Sequence, residues 1–193
     1  MVKKNACVFI SGKGTNLKNL IDKSRDSSFP IKIKLVISNN INALGIKIAR
    51  KNSITYKIIN TKLRNYETNL INILKFNKIS LICLAGYMKI LPKRLIRKFE
   101  NKVINIHPSL LPKFKGLNTY SKIIKRREVK TGCSVHFVNE KLDDGKIIIQ
   151  KSFFINQNYD ENYLKNRTQK LEYLAYPEAI ISLFRSKKFK KKT

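Results

Sequence analysis

Three polar residues near the ends of apolar segments could act together on a carbonyl group. Asn105 and His107 lie at the end of the apolar segment VINI, and Asp143 lies in the later segment EKLDDG. An amide can donate a hydrogen bond to a developing oxyanion, an imidazole can stabilise its charge, and a carboxylate can orient the imidazole or relay a proton. No serine or cysteine stands in a convincing nucleophile motif, which favours direct transfer over a covalent intermediate. We therefore predict a site for acyl-type transfer.

Each of these residues also has an ordinary structural explanation. His107 could simply cap a strand, and Asp143 could simply build a turn between two strands. His136 stands inside an apolar segment and is interpreted as a supporting residue rather than a catalytic one. Spacing alone leaves both explanations open.

A glycine-containing segment, SGKGTNL, follows the first apolar run. Gly12 and Gly14 permit positive φ and close approach of the backbone, and Thr15 or Asn16 can cap a following helix. Free N–H groups at that helix start would form a phosphate cradle. The segment is neither a Walker loop nor G-x-G-x-x-G, so it does not specify a nucleotide, and a simple tight turn is the alternative.

The elements that must position these residues alternate between apolar and amphipathic segments. We predict strands at ACVFI, IKIKLVIS, ITYKIIN, ISLICLAG and KVINI, and helices at TNLKNLIDKS, INALGIKIARKN and NYETNLINILKFN. Strands that are apolar throughout are typical of a parallel sheet covered on both faces. The carboxyl ends of such strands share one edge, where open α/β sheets bind ligands.

The pattern changes after Gly116. TGCSVHFVN and KIIIQKSFFIN predict two antiparallel strands that extend the sheet, followed by a closing helix with a bend or restart near Pro177. The fold class is therefore α/β: a single domain over residues 1–185 with a mostly parallel twisted sheet and helices on both faces. Residues 186–193 are predicted to be a solvated basic tail.

The net charge of +29 comes from 32 Lys and 9 Arg that are spread along the whole chain. Abundant Lys, Asn and Ile indicate a drift toward A/T-rich codons, whereas a dedicated nucleic-acid binder more often clusters Arg and aromatic residues on one face. We therefore expect nucleic acid to bind only non-specifically, through charge. A non-enzymatic, basic RNA-binding protein is the alternative from a different class.

Hydrophobic runs and cysteines indicate the compartment. No run of 18 or more apolar residues appears, so we expect no membrane span. Cys7, Cys83 and Cys133 are odd in number, far apart and each in an apolar segment. They indicate reduced core thiols of a cytoplasmic protein rather than a disulfide framework or a metal site.

Six segments carry a resemblance to a known family. SGKGTNL, VISNN, LAGYMKIL, NIHPSLLPKFKGL, TGCSVHFV and LDDG occur in the order and spacing of the phosphoribosylglycinamide formyltransferase family, and the resemblance runs from about Val2 to Phe184. It implies a Rossmann-like formyltransferase fold. It also implies transfer of the formyl group of 10-formyltetrahydrofolate to the amine of glycinamide ribonucleotide in de novo purine synthesis. We expect a monomer or homodimer and no metal.

The resemblance implies roles for residues at matching positions. Asn105 and protonated His107 would steady the oxyanion of the tetrahedral intermediate, while Asp143 would support His107 and help to move a proton through water. The ribose phosphate would bind at Gly12, Lys13, Gly14, Thr15 and Asn16 with a basic residue, Arg64 or else Lys62. Gln169 and Glu172 would hold the glycinamide end. The pteridine would contact Met88, Lys89, Ile90 and Leu91 between walls formed by Leu84 and Val138, close to Asp143.

The chain departs from the family pattern at four positions. Asn118 and Tyr120 stand where the family commonly has histidines, Cys133 where Thr is common and Lys115 where Pro is common. We expect these changes to affect the turnover rate and pH profile more than the type of reaction.

Two related enzymes are alternatives. A methionyl-tRNA formyltransferase shares the fold and donor, and the charge would suit tRNA, but that family carries a further RNA-contacting domain and lacks SGxGTNL. A formyltetrahydrofolate deformylase usually carries an N-terminal regulatory domain.

Overall fold

A computed structural model of the chain describes residues 2–155 and 159–186. Within these ranges the strands are β1 (Lys4–Ile10), β2 (Ile31–Ser38), β3 (Thr55–Ile58), β4 (Leu81–Leu84), β5 (Val103–His107), β6 (Lys130–Phe137) and β7 (Ile147–Phe154). The helices are α1 (Thr15–Ser24), α2 (Leu44–Lys51), α3 (Tyr66–Phe76), α4 (Lys93–Lys98), α5 (Thr119–Lys125) and α6 (Glu161–Arg185). Except for Ser186, the predicted basic tail lies outside the described residues.

The strands form one sheet in the order β3-β2-β1-β4-β5-β6-β7. Strands β1 to β5 pair in parallel, whereas β6 runs antiparallel to both β5 and β7. The predicted α/β class, the mostly parallel sheet and its antiparallel C-terminal extension are confirmed. Two short helices, α4 and α5, are not predicted from the sequence, because six or seven residues carry too little periodicity.

Alternating residues of each central strand pack on opposite faces of the sheet. Ala6, Val8 and Ile10 of β1 lie in a cluster with buried residues of α1, α2 and α6, while Cys7 and Phe9 pack with α3 and α4. Both faces of the sheet are covered, and this explains why its strands are apolar throughout.

The three cysteines are free thiols buried in this core. Burial raises the pKa of Cys83 and Cys133 to about 12, so both thiols stay protonated at neutral pH. In the described ranges no group of His, Cys, Asp or Glu could hold a metal ion. No helix there has the length and apolar character needed to span a bilayer.

Helix α6 continues through Pro177 without interruption. Of the two predicted possibilities, the restart at this residue is therefore wrong, and the bend stays a prediction. Proline has no N–H, and the carbonyl of Tyr173, one turn earlier, therefore has no donor within the helix. Asn19 of α1 replaces that donor, because its Nδ2 donates to the Tyr173 carbonyl at 2.9 Å. A side chain from a neighbouring helix thus satisfies the group that Pro177 leaves open.

Asn19→Ala should lower the free energy of unfolding by about 1 kcal/mol, because the part-buried Tyr173 carbonyl loses its donor. Urea denaturation of the unaltered protein and of Asn19→Ala would measure this loss. The control is Asn19→Ala in a Pro177→Ala background, where residue 177 regains an N–H that can donate to the Tyr173 carbonyl. A clearly smaller loss is expected there, and equal losses in both backgrounds would contradict the explanation.

Candidate active site

A cavity of about 1080 Å³ opens at the carboxyl ends of β1, β4 and β5. The loops after these strands line it, together with the turn between β6 and β7 and one face of α6. Strand β1 lies between β2 and β4, so the chain leaves the sheet centre in opposite directions at this point. Such a switch point creates a crevice in open α/β sheets.

The structure brings Asn105, His107 and Asp143 together in this cavity. Asn105 and His107 are two residues apart on β5 and therefore point to the same face of the sheet. Asp143 reaches them from the turn after β6: its Oδ2 lies 3.3 Å from His107 Nδ1, and its Oδ1 lies 3.3 Å from Asn105 Nδ2. One carboxylate thus contacts both other members of the predicted set.

His136 stands behind Asn105, its partner across the β5–β6 pairing. Its Nδ1 donates to the Phe137 carbonyl at 2.7 Å, and its Nε2 lies 3.2 Å from Asn105 Nδ2 and 3.5 Å from Asp143 Oδ1. These contacts fix the Asn105 amide and agree with the supporting role interpreted from the sequence.

His107 is buried between two hydrogen-bond acceptors. Its Nε2 lies 2.8 Å from the Phe114 carbonyl, opposite the contact of Nδ1 with Asp143. Burial lowers the pKa of His107, and this effect exceeds the opposing pull of Asp143 and the Phe114 carbonyl. In the free protein at neutral pH the ring is therefore mostly neutral, and protonation requires further negative charge nearby.

Asp143 remains ionised in this setting. Burial alone would raise its pKa, but contact with His136, the charge of His107 and the Gly116 N–H at 2.9 Å together lower it to about 2. Asp143 also has a φ of 47°, in the left-handed region that non-glycine residues seldom adopt. The turn places this carboxylate within 3.3 Å of both His107 and Asn105 on β5.

The loop after β1 forms another wall of the cavity. Gly14, with a φ of 73°, is the N-cap of α1, and no side chain caps this helix, so the predicted cap by Thr15 or Asn16 is wrong. The loop is held by backbone packing instead, because Gly45 donates from its N–H to the Gly12 carbonyl at 3.0 Å. The uncapped helix start leaves N–H donors and a partial positive charge available to an anion.

The two side chains that would have capped α1 bind to α6 instead. Gln169 Nε2 donates to Thr15 Oγ1 at 2.9 Å, and Asn16 Nδ2 donates to Glu172 Oε2 at 2.8 Å. Burial raises the pKa of Glu172 to about 6, against the effect of Asn16. Asn16 Oδ1 is buried and has no hydrogen-bond partner among the described residues. Acceptors therefore gather here and suit an amine or amide donor on a ligand.

Glu172→Gln should remove a pH dependence of stability. The folded pKa lies above the ordinary 4.5, so between about pH 4.5 and 6 the folded protein keeps a proton that the unfolded chain releases. The contribution of Glu172 to the free energy of unfolding should fall by roughly 2 kcal/mol as pH rises through this window, while the lowered pKa of His107 acts in the opposite direction in both proteins. Urea denaturation of the unaltered protein and of Glu172→Gln at pH 4.5 and pH 7 would measure the difference, and an equal change in both proteins would refute the assignment.

The other predicted contacts line the apolar side of the cavity. Met88 and Ile90 expose 60% and 76% of their surface there, which is unusual for apolar residues and indicates a binding surface. The same side is lined by Leu84, Lys89, Leu91 and Val138. Ser11 connects this side to the glycine loop, because its Oγ accepts from the Met88 N–H at 2.8 Å and donates to Asn39 Oδ1 at 2.5 Å.

Two predicted phosphate residues lie elsewhere. Arg64 and Lys62 are exposed on the loop between β3 and α3 and are not among the residues that line the cavity. The sequence does not predict Ser11 or Lys165 as cavity residues. Lys165 precedes Gln169 by one helical turn and therefore shares its face of α6. This spacing in the sequence could have predicted that Lys165 also lines the cavity.

The residues that depart from the family pattern have different surroundings. Asn118 and Tyr120 line the cavity, so they are placed to affect what binds there. Lys115 forms an ion pair with Asp144 outside it, and Cys133 is buried in β6.

Comparisons with known proteins agree with this geometry. The family model described as formyl transferase matches residues 4–180. The phosphoribosylglycinamide formyltransferase of Haemophilus influenzae is 40% identical over 183 residues, covering 92% of this chain and 85% of that protein. The crystal structure of phosphoribosylglycinamide formyltransferase from Brucella melitensis superposes with a TM-score of 0.88 at 33% identity, covering 93% of this chain and 94% of the other.

A longer relative contains a similar region. The trifunctional purine biosynthetic protein adenosine-3 of Drosophila pseudoobscura pseudoobscura is 41% identical over 187 residues, which are 94% of this chain. The chain spans only 14% of that protein's length. The extent of the family match and the similarity to the Haemophilus protein show that the chain belongs to the formyl transferase family.

Proposed function

We propose that this protein transfers the formyl group of 10-formyltetrahydrofolate to the amine of glycinamide ribonucleotide. The observation that carries the proposal is the contact of Asp143 with both His107 and Asn105, at 3.3 Å each, inside one cavity. The glycine loop borders this cavity on one side and the apolar Met88–Leu91 segment on another. A phosphorylated acceptor and an aromatic donor can therefore meet at the three residues. The names of the Haemophilus and Brucella relatives support this choice.

The ribonucleotide is proposed to bind between the glycine loop and α6. Its phosphate accepts hydrogen bonds from the free N–H groups at the start of α1, while its glycinamide end reaches Glu172 and Gln169. Glu172 and the unpartnered Asn16 Oδ1 are acceptors for the N–H groups of that end. The formyl folate binds on the opposite side, with its pteridine against the backbone of residues 88–91.

Transfer is proposed to proceed by direct attack of the amine on the formyl carbon. Negative charge then forms on the formyl oxygen, next to His107 and Asn105. Asn105 stabilises it by donating a hydrogen bond, and the protonated ring of His107 stabilises it by its positive charge. In the free protein, one Nδ2 hydrogen of Asn105 faces Asp143 and the other faces His136. Asn105 therefore gives up one of these two long contacts when it donates a hydrogen bond to the oxyanion. The oxyanion also supplies the negative charge that favours protonation of His107.

Collapse of the intermediate breaks the bond between the formyl carbon and the folate nitrogen. The attacking amine must lose a proton and the leaving nitrogen must gain one. Asp143, ionised at neutral pH and in contact with His107, is placed to pass this proton through water.

The test is a transfer assay with three acceptor conditions. Formyl transfer from 10-formyltetrahydrofolate is measured with glycinamide ribonucleotide, with initiator methionyl-tRNA and with no acceptor. Transfer to the ribonucleotide alone is expected. Transfer to tRNA instead, or release of formate without an acceptor, would replace the proposal with one of the two related activities.

A further inference from the structure

We infer that Lys165 of α6 supplies the cationic side chain for the phosphate of the ribonucleotide, in the role that the resemblance assigns to Arg64 or Lys62. This inference rests on the proposed function and deepens it. Lys165 would add a full positive charge to the partial charges of the backbone N–H groups.

The position of α6 against the glycine loop is fixed by two hydrogen bonds. Gln169 binds Thr15 and Glu172 binds Asn16, at 2.9 and 2.8 Å. Lys165 lies one helical turn before Gln169, on the same face, about 6 Å closer to the helix N-terminus. Because Gln169 already contacts the first residue of α1, Lys165 lies beside the loop that precedes this helix, and it lines the same cavity.

The charges around the cavity leave few alternatives. The cations that line it are Lys13, Lys89, Lys141 and Lys165. Lys89 belongs to the apolar side, and Lys141 belongs to the β6–β7 turn, so Lys13 and Lys165 are the cations beside the glycine loop. Glu161 also lines the cavity one turn before Lys165, but no ion pair joins them in the described ranges.

A phosphate monoester needs more charge than the loop provides. The start of α1 offers the equivalent of about half a positive charge. Lys18, in the first turn of this helix, is already paired with Asp22 at 2.6 Å. A lysine ammonium is a common phosphate partner and acts as a point charge that need not meet a planar fork geometry. Lys165 is exposed and forms no ion pair within the described ranges, so binding phosphate breaks no existing pair.

The experiment compares Lys165→Met with Lys170→Met. Lys170 lies on the same helix, is exposed and does not line the cavity, so it controls for charge and helix propensity. Lys165→Met should raise KM for glycinamide ribonucleotide about 10-fold or more, without raising KM for the folate. Lys170→Met should leave both constants unchanged. Lys165→Arg should restore most of the affinity, because it restores the charge.

A second readout does not depend on formyl transfer. Calorimetry with ribose 5-phosphate should show binding to the unaltered protein and to Lys170→Met, and about 10-fold weaker binding to Lys165→Met. An unchanged affinity in Lys165→Met, or a loss seen only in Arg64→Met or Lys62→Met, would overturn the inference. If the unaltered protein transfers no formyl group, the proposed function fails, and the calorimetry still decides whether Lys165 binds a phosphate.

Discussion

His107→Ala is expected to lower kcat of the proposed transfer by about 100- to 1000-fold, the usual loss when one oxyanion stabiliser is removed. The imidazole stands between Asp143 and the Phe114 carbonyl and faces the cavity. Alanine removes the imidazole whose positive charge would stabilise the formyl oxygen, and it leaves Asp143 without a ring to support. Single-turnover and steady-state rates with saturating substrates would measure the loss.

The fold should survive His107→Ala. Asp143 keeps its hydrogen bonds from the Gly116 N–H and from Asn105, so its carboxylate is not left without a donor. Thermal unfolding checks this point. Ser121→Ala is the control, because Ser121 lines the cavity and is not among the hydrogen-bond or ion-pair partners of the three residues, so its kcat should not change. A near-normal kcat in His107→Ala would remove this residue from the mechanism.

Gly14→Ala is expected to lower the free energy of unfolding by about 3 kcal/mol and to raise KM for the ribonucleotide. An added Cβ at Gly14 would lie 2.6 Å from Gly45 Cα and 3.3 Å from Gly45 N. These are backbone atoms at the start of α2, which can yield only by moving the helix. The left-handed φ of 73° adds strain of its own for any residue with a Cβ.

Gly12→Ala is the matched control for this stability loss. Gly12 belongs to the same loop, but a Cβ there would meet no atom within 4 Å. Denaturant unfolding should therefore place Gly12→Ala much closer to the unaltered protein than Gly14→Ala. Equal losses would mean that the close approach of Gly14 and Gly45 does not determine the loop's stability.

The meeting of Asn105 and His107 could be predicted from the sequence. Residues two apart on a strand share a face, and the carboxyl ends of parallel strands share an edge. The glycine loop could be placed next to them for the same reason. These inferences need only local periodicity and the handedness of parallel crossovers.

Other features depend on contacts between distant segments and could not be predicted. The continuity of α6 at Pro177 depends on Asn19, which is 154 residues away from the carbonyl it satisfies. Helix α1 lacks a side-chain cap because Thr15 and Asn16 are bound to Gln169 and Glu172. These partners lie 154 and 156 residues away in the sequence. Arg64 has the right charge for a phosphate site, but its loop follows β3 at the edge of the sheet.

Strand β5 joins the two kinds of pairing in the sheet, with parallel β4 on one side and antiparallel β6 on the other. Asn105 and His107 belong to the parallel half, whereas His136 and Asp143 arrive with the β6–β7 hairpin. Hairpins form within about 1–10 μs, while parallel pairing waits for long crossovers to close. Activity requires the β6–β7 hairpin to pair with β5. During refolding, activity should therefore recover later than either the hairpin or the parallel part of the sheet forms.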